Sequence, residues 1–284
     1  MKTRRILVVV DSSPAAQARV ESALNLAGAV AAEVTAILAI HIEVPPVAAS
    51  VMHGGWYMGD EILSQSREVA LRSADLIRET CESVAERLRG ELGWLQKEGD
   101  AVQVISEEAR YHDLLLLGRP GTDDAAAGDF RGNIHSILLE AGVPCLVMPD
   151  DRPGMSRSPG RILLAWNGGR ECYQAMRGAM PFLRRADEVT VLTLVEHPDE
   201  EAMARHRNGR AIDYLRTHEV NAGPLVTSRE GLFTGQSLVA KTLELAPDLV
   251  VMGAYGHSRF RETILGGATR QILTHAELPV LFAH

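Results

Sequence analysis

The chain contains an internal repeat, and this feature limits the fold more than any other. The segment RRILVVVDSSPAAQARVESALNLA near the start aligns with GRILLAWNGGRECYQAMRGAMPFL from Gly160. Two later pairs also match: HDLLLLGRPG with PDLVVMGAYG, and GNIHSILLEAGVPCLVMP with GATRQILTHAELPVLFAH. One constant offset aligns Gly118 with Gly253, Gly121 with Gly256, Gly132 with Gly267 and Pro144 with Pro279. Chance similarity of apolar residues would not keep glycines and a proline in register, so the sequence predicts two copies of one structural unit.

The two predicted copies span residues 1–150 and 160–284. The segment that joins them, DDRPGMSRSPG, is polar and rich in Pro, Gly and Ser, which is typical of a linker. Each copy opens with a near-continuous apolar run, ILVVV or ILLAW, and has later runs such as LLLLG or DLVVMG. Such runs are typical of strands buried on both faces of a parallel sheet. Amphipathic helical segments alternate with them, which predicts a doubly wound α/β fold with helices on both faces.

The composition excludes several classes of protein. With 46% hydrophobic and 23% charged residues, the chain has ample material for a globular core. Its net charge of −8 argues against a nucleic-acid partner and against attraction to anionic lipid. The apolar runs are too short for a signal peptide or a membrane span. Three cysteines lie far apart without a metal-binding spacing, so we expect a reducing, cytoplasmic location.

A glycine-rich segment, GAYGHSRFRETILGGATRQIL, follows an apolar run of the second copy and leads into a predicted helix. In doubly wound sheets, ligands bind beyond the carboxyl ends of the strands. Backbone N–H groups at the start of a helix bind anions, and glycines let phosphate oxygens approach the main chain. His257, Arg259 and Arg261 add basic character. The alternative is that these glycines only end a strand and cap a helix, since neither the Walker nor the Rossmann glycine motif is present.

The pattern Gly253-x2-Gly256-x9-Gly266 after VVMG resembles the nucleotide-binding loop of the universal stress protein family. RILVVVDSS resembles the first strand of that family, and ILTHAELPVLFA its last helix and strand. The resemblance covers nearly the whole chain as two tandem domains. It implies a five-stranded parallel sheet of order 3-2-1-4-5 in each domain. It further implies that the two domains pair as a pseudo-dimer, and it leaves open whether two chains also pair. Many members of the family bind ATP.

Carried over onto the second copy, the resemblance implies a site for ATP or another adenine nucleotide. The acidic residue that follows the first strand in the family corresponds to Asn167, which lacks the charge. Gly267 stands where the family usually has Ser or Thr, and Thr269 matches a later hydroxyl position. The backbone of Val195 is expected to meet adenine. The complete predicted nucleotide site comprises Ala165, Asn167, Val195, Gly253, Gly256, Gly266, Gly267, Ala268 and Thr269.

The first copy departs from the family pattern in the opposite way. Asp11 is the expected acid, but Arg131 occupies the position equivalent to Gly266, and Ile134 the position equivalent to Thr269. Three aspartates in GRPGTDDAAAGDFRG would repel phosphate. We therefore expect the first copy to bind no nucleotide.

These observations predict a stress-response nucleotide-binding module rather than a dedicated enzyme. Mg²⁺ would bridge the phosphates, although no carboxylate is evidently placed to hold it, and no catalytic residue is assigned. The alternatives are a nucleotide-free scaffold of the same fold and a slow ATP-hydrolysing enzyme. Asp11 is interpreted as a cap of the following helix. The segment SVMHGGWYMGDE, residues 50–61, is interpreted as a surface loop or as a lid.

Overall fold

A computed structural model describes residues 3–42, 56–119, 133–150, 155, 158–229, 231–256 and 267–284. The side chains of residues 56–60 and 62 are not described. The predicted loop or lid at residues 50–61 therefore falls largely outside the described residues, although the backbone is helical from Trp56 onward.

The first copy contains five strands and four helices in its described part. The strands are β1 (Arg5–Val9), β2 (Glu33–Ile40), β3 (Leu92–Glu98), β4 (Leu114–Gly118) and β5 (Cys145–Met148). The helices are α1 (Ala15–Val30), α2 (Trp56–Leu88), α3 (Ala101–Ala109) and α4 (Ile134–Glu140).

The second copy repeats this order. Its strands are β6 (Arg161–Ala165), β7 (Glu188–Val195), β8 (Ala222–Ser228), β9 (Leu249–Gly253) and β10 (Val280–Ala283). Its helices are α5 (Arg170–Gly178), α6 (Met180–Leu183), α7 (Glu201–Thr217), α8 (Thr234–Leu245) and α9 (Gly267–His275), and a short 3-10 helix (Pro198–Glu200) precedes α7.

The ten strands form one sheet in the order β3-β2-β1-β4-β5-β10-β9-β6-β7-β8. Each copy thus has the predicted order 3-2-1-4-5 with parallel neighbours, which confirms the fold class. The two copies join through β5 and β10, which pair antiparallel with Leu146 opposite Leu281. An antiparallel join of two like edges relates the copies by an approximate two-fold axis.

Alternation along the strands produces the two layers of core. In β1, Ile6 and Val8 belong to one buried cluster, whereas Leu7 and Val9 belong to the other. The first cluster packs under α1, α2, α5, α6 and α7, and the second under α3, α4, α8 and α9. Successive side chains of a strand point to opposite faces, so a strand covered on both faces must be apolar throughout.

The edge strands differ from the central ones. Most residues of β3 are partly or fully exposed, and β8 contains two exposed residues, Gly223 and Pro224. No apolar run marks either segment in the sequence. Their place at the two edges explains this, because an edge strand has one neighbour and less helix cover.

Candidate functional site

A cavity of about 1230 Å³ opens beyond the carboxyl ends of β6, β7 and β9 in the second copy. The segment after β6, the start of α8 and the start of α9 complete its walls. This is the crevice in which doubly wound sheets bind ligands. Most of the predicted nucleotide-site residues line it: Ala165, Asn167, Gly253, Gly256, Gly267, Ala268 and Thr269.

Two predicted residues do not line the cavity as described. Gly266 lies outside the described residues. The side chain of Val195 is buried on the opposite face of β7, in a cluster with Ala204 and Val226. Its neighbours Leu194 and Glu196 line the cavity instead, because side chains alternate along a strand. The carbonyl of Val195 accepts a hydrogen bond from the N–H of Arg229 at 2.9 Å.

Asn167 is held by its own loop. Its Oδ1 accepts a hydrogen bond from the N–H of Gly169 at 2.7 Å, and the Sγ of Cys172 donates to the same oxygen at 3.0 Å. Because these contacts engage the carbonyl oxygen, the amide Nδ2 is the group that remains for a ligand. An amide nitrogen only donates, whereas an aspartate at this position would accept hydrogen bonds from hydroxyl groups.

The glycines of the loop are required for different structural reasons. A Cβ on Gly253 would lie 2.7 Å from the backbone of Glu171 and Cys172, so this glycine lets β9 approach α5. A Cβ on Gly256 would lie 3.1 Å from the Oε2 of Glu171. Of the three loop glycines that the structure describes, only Gly267, the first residue of α9, has open space within 4 Å. Close packing therefore explains Gly253 without a ligand, whereas the bare backbone at Gly267 faces the cavity.

Tyr255 links the loop to the start of α9. Its φ of 58° lies in the left-handed region, which is uncommon for a residue with a side chain. The backbone N–H of Tyr255 donates to the Oγ1 of Thr269 at 3.3 Å, and Thr269 is buried. The hydroxyl proton of Thr269 remains able to donate, so this bond fixes the rotamer without removing the donor.

The first copy contributes to this loop. His135 of α4 forms a hydrogen bond through its Nδ1 with the hydroxyl of Tyr255. Burial lowers the pKa of His135, so its ring is neutral at neutral pH, and burial raises the pKa of Tyr255. The ring of His284 packs edge-on against Tyr255 with centroids 6.2 Å apart.

Sequence reasoning missed the outer wall of the cavity. Leu192, Leu194 and Leu238 form an apolar side, and Arg229 and Phe233 lie at the rim. Phe233 is 78% exposed, and the guanidinium of Arg229 pairs with Glu196 at 3.2 Å. The signal for Phe233 was present in the sequence as an isolated aromatic residue before a helix, but only the fold brings it to the β9 loop.

Metal binding by the protein alone has no support in the described part of the chain. No group of three or more His, Cys, Asp or Glu side chains is arranged there to hold an ion. Any Mg²⁺ at this site would depend on phosphate oxygens for most of its ligands.

The equivalent region of the first copy is organised by an ion-pair network. The guanidinium of Arg19, 1% exposed, contacts the carboxylates of Asp11 at 2.6 Å and Asp150 at 3.3 Å and donates to the carbonyl of Val9. A Cβ on Gly118, the equivalent of Gly253, would lie 2.4 Å from the Nη1 of Arg19. Asp11, which stands at the acidic position of the family pattern, is thus paired inside the protein.

The interpretation of Asp11 as a helix cap is wrong. Its Oδ1 accepts from the N–H of Ser13 at 2.8 Å, and α1 begins after Pro14 without a side-chain cap. The other oxygen, Oδ2, pairs with the guanidinium of Arg19. Ile134, at the position equivalent to Thr269, is fully buried, and Arg131 lies outside the described residues.

Comparisons with known proteins decide the family. The sequence model of the universal stress protein family matches residues 2–149 and 225–284. The chain belongs to the universal stress protein family. A universal stress protein of Synechocystis sp., Slr1230, is 24% identical over 292 residues, which cover 98% of this chain and 99% of that protein.

Solved structures agree with the universal stress protein fold over the full length. A universal stress protein of Archaeoglobus fulgidus superposes with a TM-score of 0.70 at 14% identity, covering 100% of this chain and 99% of that one. A structure from Pseudomonas aeruginosa gives 0.60 at 15% identity, covering 99% and 93%. The tandem arrangement predicted from the repeat is therefore confirmed.

The cysteine and histidine side chains discussed next are buried in this universal stress protein and show no sign of a reactive site. Burial raises the pKa of Cys145 to about 12 and that of Cys81 to about 11, so both thiols stay protonated. His112 is buried, with its Nδ1 at 3.0 Å from the carbonyl of Glu108. Among the described helices, none combines the length and the apolar character that a membrane span needs.

Proposed function

We propose that this universal stress protein binds ATP or another adenine nucleotide in the cavity of its second copy and acts in the stress response as a nucleotide-dependent binding module. The observation that carries the proposal is the opening of this cavity onto the bare start of α9. Among the residues that the structure describes, no atom lies within 4 Å of a Cβ placed on Gly267, so the backbone donors there face open space. The partial positive charge of a helix start favours phosphate.

The cavity lining fits both the phosphate end and the base end of a nucleotide. Gly267, Ala268 and Thr269 would hold the phosphates through backbone N–H groups and one hydroxyl. Leu192, Leu194 and the other apolar wall residues would cover a flat base, which matches the mainly apolar lining of small-molecule sites. The cavity of about 1230 Å³ is large enough for a nucleoside triphosphate. Mg²⁺, when bound, would neutralise phosphate charge.

The first copy is proposed to bind no nucleotide. Arg19 already neutralises Asp11, and a ligand would have to break a buried pair to reach this carboxylate. Breaking such a pair costs about 3–5 kcal/mol. The cost leaves the second copy as the site of nucleotide binding.

A nucleotide-free scaffold is the second candidate, and one observation favours it. The Oδ1 of Asn167 is already engaged by Gly169 and Cys172, so the site lacks the acceptor that an aspartate would offer to ribose hydroxyls. Binding would then depend on the phosphate end alone.

Thermal unfolding with and without ATP separates the two candidates. Ligand at about 100 times its dissociation constant stabilises the folded state by about 2.7 kcal/mol, so the melting temperature should rise. In Gly267→Val the new side chain occupies open space at the helix start, so the protein should fold but lose the ATP effect. Gly209→Val in α7 is the matched control, since a Cβ there also meets no atom within 4 Å.

An unchanged melting temperature at saturating ATP would favour the scaffold. Loss of the ATP effect in both valine variants would show that global destabilisation, and not the start of α9, is responsible.

A further inference from the structure

A second cavity of about 1190 Å³ lies between the two copies, away from the nucleotide cavity. We refer to it as the interdomain cleft. Leu138, Val143 and Pro144 of the first copy contribute to one side, and helices α5 and α6 of the second copy form the other. The copies approach closely at its floor, where a Cβ on Gly178 would lie 2.3 Å from the Cγ of Pro144.

One face of α5 presents two arginines to the cleft. Arg170, Gln174 and Arg177 line it, and their spacing of four and three residues places them on one side of this helix. Arg184, which follows the end of α6, lines the cleft as well. With a rise of about 1.5 Å per residue, Arg170 and Arg177 are separated by about 10 Å along the axis. Arg185 also lines the cleft.

Most of this positive charge is not neutralised by acidic side chains. Arg184 pairs with Glu219 at 3.3 Å, whereas Arg185 donates only to the carbonyls of Pro181 and Ala29. Arg170 and Arg177 are exposed and form no hydrogen bond or ion pair within the described part of the chain. No Asp or Glu is among the described lining residues, although the whole chain carries a net charge of −8.

The arginines that line the cleft have no basic counterparts in the first copy. In the repeat alignment, Arg170, Arg177 and Arg184 correspond to Pro14, Glu21 and Gly28. The equivalent face of α1 is instead contacted by the linker, where the N–H of Met155 donates to Ser22 and its carbonyl accepts from Asn25. The arginine face is therefore specific to the second copy.

We propose that the interdomain cleft binds an extended phosphate polyanion of the inorganic polyphosphate class. Guanidinium groups bind phosphate oxygens with two parallel hydrogen bonds, and among the described arginines of the cleft only Arg184 is paired with an acid. A phosphate chain presents only acceptors, whereas a peptide also presents backbone donors that the cleft could not satisfy in equal number. The proposal does not depend on the nucleotide cavity, which Arg170 and Arg177 do not line.

Calorimetric titration of the full chain with inorganic polyphosphate, with tripolyphosphate and with orthophosphate tests this proposal. Affinity should rise with chain length, because a longer anion reaches both Arg170 and Arg177. Arg177→Gln should weaken polyphosphate binding about tenfold, the effect of losing one charge-assisted contact. Arg110→Gln, which removes an exposed charge outside both cavities, is the matched control and should bind as the unmodified protein does.

Four outcomes would overturn the proposal. Equal binding by Arg177→Gln and the unmodified protein would place the polyanion elsewhere. An equal loss in Arg110→Gln would indicate non-specific charge attraction. Loss of polyphosphate binding in Gly267→Val would assign it to the nucleotide cavity. A poly-glutamate of matched charge tests the ligand class: it should bind more weakly, and equal affinity would contradict recognition of phosphate.

Discussion

The contact between Gly178 and Pro144 gives a quantitative test of how the two copies pack. Gly178 ends α5 of the second copy, and Pro144 precedes β5 of the first. A methyl group at Gly178 would lie 2.3 Å from the Cγ and 2.9 Å from the Cβ of Pro144. A proline ring cannot rotate away as a flexible side chain can, so the helix or the strand end must shift.

Gly178→Ala should therefore lower the free energy of unfolding. Forcing a methyl group into a packed contact costs about 1–3 kcal/mol. The better helix propensity of alanine offsets up to about 1 kcal/mol of this cost. Gly28→Ala is the matched substitution in α1, since a Cβ at Gly28 meets no atom within 4 Å. It should stabilise the protein by up to about 1 kcal/mol, so the difference between the variants isolates the interdomain contact.

Urea unfolding followed by circular dichroism measures both changes. Pro144→Ala removes the Cγ atom, and the N–H of Leu115 can still donate to the carbonyl of residue 144. In the double variant the penalty of Gly178→Ala should be partly relieved, because the closer contact with Cγ is gone while the Cβ of residue 144 remains, which gives a coupling energy of about 0.5–3 kcal/mol. If Gly178→Ala stabilises the protein as much as Gly28→Ala does, the two copies do not meet at this point.

Two further predictions concern buried polar groups. Arg19→Met should lower the free energy of unfolding by about 3 kcal/mol, because it removes the buried guanidinium that pairs with the carboxylate of Asp11. Arg78→Met, in an exposed pair with Glu82, should cost less than about 0.5 kcal/mol. Equal losses in urea unfolding would contradict this. Burial lowers the pKa of His112 from 6.5, so the unfolded state binds more protons near that pH and stability should fall as the pH drops below 6.5. His112→Leu should reduce this slope in pH-dependent melting, and an unchanged slope would rule out the contribution of His112.

Much of the candidate site could be predicted because its residues lie in short, repeated segments. Asn167 lies just after the buried strand β6. Gly253, Gly256 and Gly267 lie within or at the ends of the loop that follows β9, so local spacing in the sequence locates these residues. The reason for each glycine could not be predicted. Gly253 is required by the close approach of α5, a segment far away in the sequence, and of these three glycines Gly267 alone faces open space.

Residues that reach the site from other elements were not predicted. Phe233 and Arg229 come from the edge of the sheet, and His135 comes from the other copy. A single position carries no signal of such contacts, because they depend on which elements the chain brings together. The role of Asp11 was misjudged because a linear pattern does not show that the side chain of Arg19, on the adjacent helix α1, turns back to pair with it.

The sequence by itself determined the duplication, the parallel sheets and the loop of the second copy. These features depend on periodicity and on local backbone chemistry, which a linear pattern records. Only the tertiary structure decided that the copies share one ten-stranded sheet through β5 and β10. It also decided that Arg19 pairs with the distant Asp150 as well as with Asp11, and that arginines line the interdomain cleft. Those features depend on distances between residues that are remote along the chain, and folding alone sets such distances.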